Sequence, residues 1–386
     1  MTRPDPERLA ETLAELIARP SPFPPGDCSA IAAYLAERLR AAGYRVETYA
    51  RQPGVDNVVA RLGEGAPVLV YSTHIDTIGV SSPEAWASDP FVARRDGNRL
   101  YGLGAVNAKG SAAAQLWLAE EFARAGGPAN GTLVFAFVGD EERLGPDGLS
   151  YLRDIDAVHP EILVLGGPSA NQLITAERGV LWARVTAQGR TAHAGDPSAG
   201  DSAIKRMHRL ITALERDLAP RLAARHDGPM QSTMNIGRIG GGHNTNAVPE
   251  QCWIEVDRRL LPDETVEGAF EEIRDCVTRS GEPADLVKVE HLTGTVGFKG
   301  RADGAGVSAF RAAIETVTGA PMRELTALGV SDGRYFARDG IEILNFGPGD
   351  GALGHAANEW IDVSDLAAGA EILWRATAAL LGVKGR

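Results

Sequence analysis

Two histidines and four acids stand in three short segments: Ser72-Thr73-His74-Ile75-Asp76, Asp140-Glu141-Glu142 and Gly354-His355. Imidazole nitrogens and carboxylate oxygens are the ligands of hydrolytic divalent metals, and a carboxylate beside such an ion can take the proton of an attacking water. His74 and Asp76 lie two apart on an extended segment, so their side chains point to the same side. Asp76 could then orient His74, or a neighbouring ligand, through the second ring nitrogen. Glu141 and Glu142 are adjacent at the end of an apolar run, where neighbouring side chains diverge: one could bind metal while the other faces the reacting water. His355 lies in a glycine-rich loop, Gly347 to His355. Alone, each segment reads more simply as a solvated turn; together, placed after strands, they read as a site.

The elements that must position them are short apolar runs alternating with helices. Pro67–Tyr71, Leu133–Val138, Ile162–Leu165 and Ile341–Phe346 are of strand length and apolar on both faces, as in a sheet covered by helices. The first three lead directly into His74 and Asp76, into the acid triplet and into Gly167, and ligands of open α/β sheets bind beyond the carboxyl ends of strands. Leu9, Leu13, Leu16 and Ile17, then Ile31, Tyr34, Leu35, Leu39 and Tyr44, recur at helical spacing, and helices are expected over Ala112–Arg124 and Val363–Leu381. From Gly179 the pattern changes to strands at Val180–Val185 and Cys252–Asp257, helices at Ser202–Leu222 and Val266–Arg279, and a loop at Gly240–Gly242. The expectation is an α/β domain made of residues 1–178 and 293–386, interrupted by an α+β insert over 179–292.

A chain of 386 residues suits two such cores. Its net charge of -12 disfavours nucleic acid or an anionic membrane as partner. Cys28, Cys252 and Cys276 lack metal-type spacing and read as buried thiols of a reducing compartment. The charged N-terminal stretch has no signal-peptide core and no run is long enough to span a membrane, so a cytoplasmic protein is expected.

Taken in order, the segments resemble the aminoacylase and carboxypeptidase family of dinuclear zinc amidohydrolases, which includes acetylornithine deacetylase, succinyl-diaminopimelate desuccinylase and glutamate carboxypeptidase. Beyond the motifs above, the likeness runs through Trp86, Asp89-Pro90-Phe91, Leu100-Tyr101-Gly102, Gly189 to Pro197, Asn246-Ala247-Val248-Pro249, Asp257 to Pro262, Ser331-Asp332-Gly333-Arg334 and Asn358-Glu359. The resemblance implies a zinc-exopeptidase-like catalytic domain, with a central mixed sheet covered by helices, and an inserted lid domain through which two copies dimerise. It implies that His74, Glu142 and His355 are metal ligands, Glu141 the general base and Asp76 the carboxylate behind the ligands. From the lid, His193 would act as oxyanion donor, and Arg259 and Asn246 would bind an acyl-amino-acid or peptide substrate.

Three departures qualify this. Asn107 stands where the family has the aspartate that bridges both metals, Gly167 where it has a terminal acid, and Leu103 where an arginine is common. With Glu142 as sole anionic ligand, two divalent ions would leave about three uncompensated charges, so one zinc ion or none is expected, with cobalt as a possible substitute. A single ion would be held by Glu142 and His355 with His74 or the Asn107 oxygen. Without metal, Glu141, His74 and His193 could run acid–base chemistry as a transferase, lyase or cyclase; a binding homologue without catalysis is the third reading. A serine-hydrolase elbow at Gly329-Val330-Ser331-Asp332-Gly333 is disfavoured because too little chain follows it. Gly102-Leu103-Gly104 lacks the third glycine of a dinucleotide loop.

Overall fold

A computed structural model describes residues 3–80, 82–301, 303–327 and 329–385. The chain divides into two compact units, one of Met1–Thr175, Gly300–Leu325 and Ser331–Arg386, the other of Ala176–Lys299 with Thr326–Val330. The insert extends beyond 292 because Val180 still pairs with Thr295 in its sheet.

In the first unit the four apolar runs form β3 (Val68–His74), β4 (Gly131–Val138), β5 (Ile162–Leu165) and β7 (Glu342–Asn345), and the same sheet holds three strands the sequence reading did not name, β1 (Arg45–Tyr49), β2 (Asn57–Glu64) and β6 (Leu173–Glu177). Their spatial order is β6-β7-β5-β3-β4-β2-β1. The central strands β7, β5, β3 and β4 run parallel, and β6, β2 and β1 pair antiparallel at the flanks. Because β3, β4 and β5 are buried on both faces, they read as continuous apolar runs rather than alternating ones.

Five helices cover this sheet: α1 (Pro6–Ile17), α2 (Ser29–Ala41), α3 (Lys109–Arg124), α4 (Ala305–Thr318) and α5 (Val363–Leu381). α1 starts where the Asp5 carboxylate caps the Glu7 N–H, with Pro6 in the first turn, where its missing N–H is harmless. Its stripe of Leu9, Leu13, Leu16 and Ile17 is fully buried. At about 1.5–3 kcal/mol per buried aliphatic side chain, this stripe holds the helix in place, and Leu13→Ala would cost about 2–5 kcal/mol. The Tyr71 hydroxyl meets Thr377 Oγ1 at 2.8 Å, tying β3 to α5. α3 begins at Lys109, three residues before the expected start.

The second unit is a four-stranded antiparallel sheet in the order Thr233–Gly241, Gln251–Leu260, Gly179–Gln188, Val287–Thr295. Its inner residues, among them Leu181, Val185, Ile254 and Val256, pack under the helices Ala203–Ala213 and Val266–Arg279. The expected single helix over 202–222 instead passes through a π-helical turn, Leu214–Leu218, before Ala219–Ala223. Pro220 accounts for the change of register, since it cannot donate the N–H an unbroken α-helix would require. Gly240 and Gly241, expected in a loop, end a strand opposite Trp253 and Cys252. A Cβ at Gly240 would lie 2.7 Å from the Trp253 ring, so glycine there marks close packing rather than a turn. Among the described residues no helix is long and apolar enough to cross a membrane.

Candidate metal and catalytic site

β3, β4 and β5 are parallel neighbours, so the segments that follow them emerge at one edge of the sheet. The β4 exit is shaped by Asp140, whose backbone is left-handed at φ 72°. Its carbonyl accepts the Gly145 N–H at 2.9 Å, and its carboxylate accepts the Asp147 N–H at 2.9 Å and bonds Arg143. Asp140 therefore builds the turn, and Glu141 and Glu142 project from it.

Asp76 sits between strand and turn. Its Oδ2 accepts the Glu142 N–H at 3.0 Å, and its Oδ1 lies 3.4 Å from His74 Nδ1. That nitrogen is also 3.0 Å from the Asp76 carbonyl oxygen. The imidazole is thus turned with Nδ1 toward Asp76 and Nε2 toward Glu141, whose carboxylate lies 4.0 Å away. His74, Glu141 and Glu142 offer ligand atoms that all lie within 4.8 Å of one another.

Asn107 closes the other side. Its Nδ2 donates to Glu142 Oε1 at 2.9 Å and lies 2.8 Å from His355 Nε2, and His355 Nε2 is 3.1 Å from the same Glu142 oxygen. Carboxylate, imidazole and carboxamide form a triangle. Ligands of a tetrahedral ion with bonds of about 2.0–2.1 Å stand about 3.3 Å apart, so a small expansion, with the carboxamide turned to present its oxygen, would fit the trio to one ion. Gly167, after β5, brings no donor side chain.

The charges here are poorly matched. Burial would lower the His74 pKa, but Glu141, Asp76 and Glu142 raise it well above the usual value. Burial raises Glu141, with His74 opposing and Asp332, Glu142 and Asp76 reinforcing. His355 is raised by its bond to Glu142. Asp332 is pushed up to about 6 by burial, against the pull of Arg334 and His74.

The chain matches the model of peptidase family M20/M25/M40 over residues 70–379. It is 30% identical over 362 residues to the succinyl-diaminopimelate desuccinylase of Bordetella petrii, covering 91% of this chain and 92% of that protein. The Acinetobacter baylyi desuccinylase is 30% identical over 372 residues, covering 92% and 94%. In fold it is similar to an M20 family metallo-carboxypeptidase from Sulfolobus solfataricus, with a TM-score of 0.81 at 17% identity and coverage of 97% and 99%. The chain belongs to peptidase family M20/M25/M40. It is a hydrolase of a metal-dependent family.

Within this M20 fold, two buried residues stand out to which the sequence assigned no role. Asp332 and Arg334, on the turn Asp332–Phe336, pair at 3.3 Å, and the Arg334 guanidinium donates to the Tyr335 hydroxyl at 2.8 Å. Tyr335 in turn donates to the Gly145 carbonyl at 2.9 Å, joining this turn to the one that carries Glu141. Arg334 Nη1 has no hydrogen-bond partner among the described residues. The segment Ser331-Asp332-Gly333-Arg334 carries both charges in the sequence, but only the fold shows that they are buried and paired.

Gly167 is equally telling. A Cβ there would lie 2.9 Å from Asn345 Oδ1, a buried oxygen without a donor among the described residues. An acid at position 167 therefore requires the Asn345 carboxamide to move.

The remaining expected residues belong to the insert. His193 is exposed, pairs with Ala247 in an isolated bridge, and accepts the Gly195 N–H on Nδ1 at 3.0 Å. Asn246 is exposed, and its carbonyl accepts the Ala194 N–H at 2.9 Å. Arg259 makes a two-point bond to Asp257, at 2.8 and 3.0 Å, and Trp182 Nε1 donates to the same carboxylate at 2.8 Å. Its guanidinium is already matched by a carboxylate.

Proposed function

We propose that this M20 hydrolase cleaves the amide bond of an N-acyl amino acid or small peptide, using a centre that holds at most one divalent ion. The observation that carries the reading is the Asn107 carboxamide, which lies between Glu142 and His355, donating to Glu142 Oε1 at 2.9 Å with its nitrogen 2.8 Å from His355 Nε2. Glu142, His355 and the Asn107 oxygen would hold the ion, zinc in the cell and cobalt by substitution. Bound there, it supplies Lewis acidity toward the scissile carbonyl and acidifies water.

The protein's own groups do the rest. Glu141, made a stronger base by burial, takes the proton of the attacking water and returns it to the leaving nitrogen. Asp76 holds the His74 ring and the Glu142 backbone, and His74 sets a positive charge beside Glu141. His193, Arg259 and Asn246 of the insert serve as oxyanion and substrate contacts, and the protein acts as a cytoplasmic homodimer. No role for nucleic acid or membrane enters this reading.

The test is metal analysis of protein purified without chelator, paired with turnover of N-acyl amino acids in the presence and absence of zinc or cobalt. One ion per chain with metal-dependent turnover is expected. Two ions at full occupancy would overturn the single-ion reading. Turnover untouched by exhaustive chelation would move the assignment to metal-independent acyl transfer, elimination or cyclisation.

A further inference from the structure

The segment Gly354–Glu359 grips its surroundings at three points. The His355 ring lies against the Asn107 side chain. Asn358 accepts the Ala87 N–H and donates to the Ala85 carbonyl, each at 2.7 Å. Glu359 is 2% exposed, and its carboxylate accepts the backbone N–H groups of Gly104, Val106 and Asn107 at 3.2, 2.6 and 2.8 Å. His355 and Asn358 both take left-handed backbone angles, φ 66° and 61°, a conformation held only where the surroundings demand it. Asn107 is therefore held twice by one segment: through its side chain by His355 and through its backbone by Glu359.

Three N–H groups converging on one carboxylate are charge-assisted bonds, each about twice as strong as a neutral one. They come from the loop that delivers the Asn107 carboxamide, and its position decides whether the triangle with Glu142 and His355 exists. We propose that Glu359 is the positioning residue of this centre: by holding the 104–107 backbone it keeps the Asn107 carboxamide between Glu142 and His355, and so sets the affinity of that trio for a cation. The cation part rests on the single-ion reading above; the backbone clamp does not.

The test uses the full chain with Glu359→Gln, which keeps the volume but turns an amide donor toward backbone donors. Amide hydrogen exchange over 104–107, cobalt titration and steady-state kinetics are compared with wild type. Exchange in the loop should quicken about tenfold or more while β3 and β4 keep their protection. Cobalt affinity should fall about 10- to 100-fold, the usual effect of losing a group behind a ligand. kcat should fall with KM within about twofold of wild type. If the glutamine variant does not fold, Glu359→Asp keeps the charge while withdrawing it by one methylene, and should shift the same quantities less.

Unchanged exchange over 104–107 would overturn the proposal. So would a lowered melting temperature accompanied by wild-type cobalt affinity and kcat, which would make Glu359 a staple of the fold only. Wild-type protein that binds no cobalt would sink the single-ion reading instead. The clamp would then stand or fall on exchange and on the Asn107 position in crystal structures of both proteins.

Discussion

Each unit gathers a cluster of acids and bases, and the two clusters end in different states. In the insert, Glu264 Oε1 accepts from Arg258 at 2.6 Å and Arg225 at 2.8 Å, while Oε2 accepts from the Ser232 hydroxyl at 2.6 Å and the Leu261 N–H at 2.7 Å. Burial pulls its pKa up, but these four donors overcome it and hold the carboxyl down at about 2. In the catalytic unit, Asp76, Glu141, Glu142 and Asp332 face His74, His355 and Arg334, and burial wins: Glu141 and Asp332 are both raised. The same residue types are fully paired in one place and left with raised, poorly matched acids in the other. The difference lies in donors per carboxylate, not in composition, and perturbed acids in a cluster short of donors mark a functional site.

The strongest way to break this contrast is Glu141→Gln. Loss of the general base should lower kcat by about 10²–10⁴-fold, with little change in the unfolding midpoint, because a buried acid with a raised pKa adds no stability at neutral pH. Kinetics alongside thermal unfolding would check both; a large drop in stability with preserved kcat would reverse the assigned roles.

Glu264→Gln should do the opposite, destabilising the protein by on the order of 2–4 kcal/mol at pH 7 while leaving the site chemistry intact. Its folded pKa lies below the unfolded value, so its contribution is complete above about pH 4.5 and fades as pH falls toward 2. The gap between the urea midpoints of variant and wild type should therefore narrow as pH falls from 5 toward 2, and a gap that stays constant over this range would refute the assignment.

Asn107→Asp combined with Gly167→Glu restores the two missing acids. Metal stoichiometry should rise from one to two, with affinity about tenfold tighter or better. Calorimetric titration showing neither gain would mean that these positions do not carry the ligands. The smallest effect expected is that of Asp257→Asn, which releases Arg259 from its carboxylate partner. KM for a substrate bearing a free carboxylate should fall about two- to fivefold, in the range of a partly exposed ion pair, and an unchanged KM would remove Arg259 from substrate binding.

Much of this was legible in the chain. β3, β4 and β5 announced themselves because burial on both faces leaves no alternation, and the three segments after parallel strands had to emerge at one edge. Less legible was the division of labour within Asp140-Glu141-Glu142: only the left-handed backbone shows Asp140 to be a turn builder. Gly240 and Gly241 misled because a glycine pair reads as a turn until an indole is seen packed over one of them. The Ser331–Arg334 segment carries the family likeness, but nothing local shows that Asp332 and Arg334 are buried and paired.

The sequence by itself determined the apolar strands β3, β4, β5 and β7, the residue types that follow them and the uncharged residues at 107 and 167, because these follow from local periodicity and side-chain chemistry. The tertiary structure decided which atoms face one another. Asn107 meets His355 and Glu359 across 248 and 252 residues, and Arg259 meets Asp257 before any substrate. Burial and hydrogen-bond geometry arise only when distant segments pack, and it is these that bring Asn107 against Glu142 and His355 and set the Glu359 carboxylate under the 104–107 backbone.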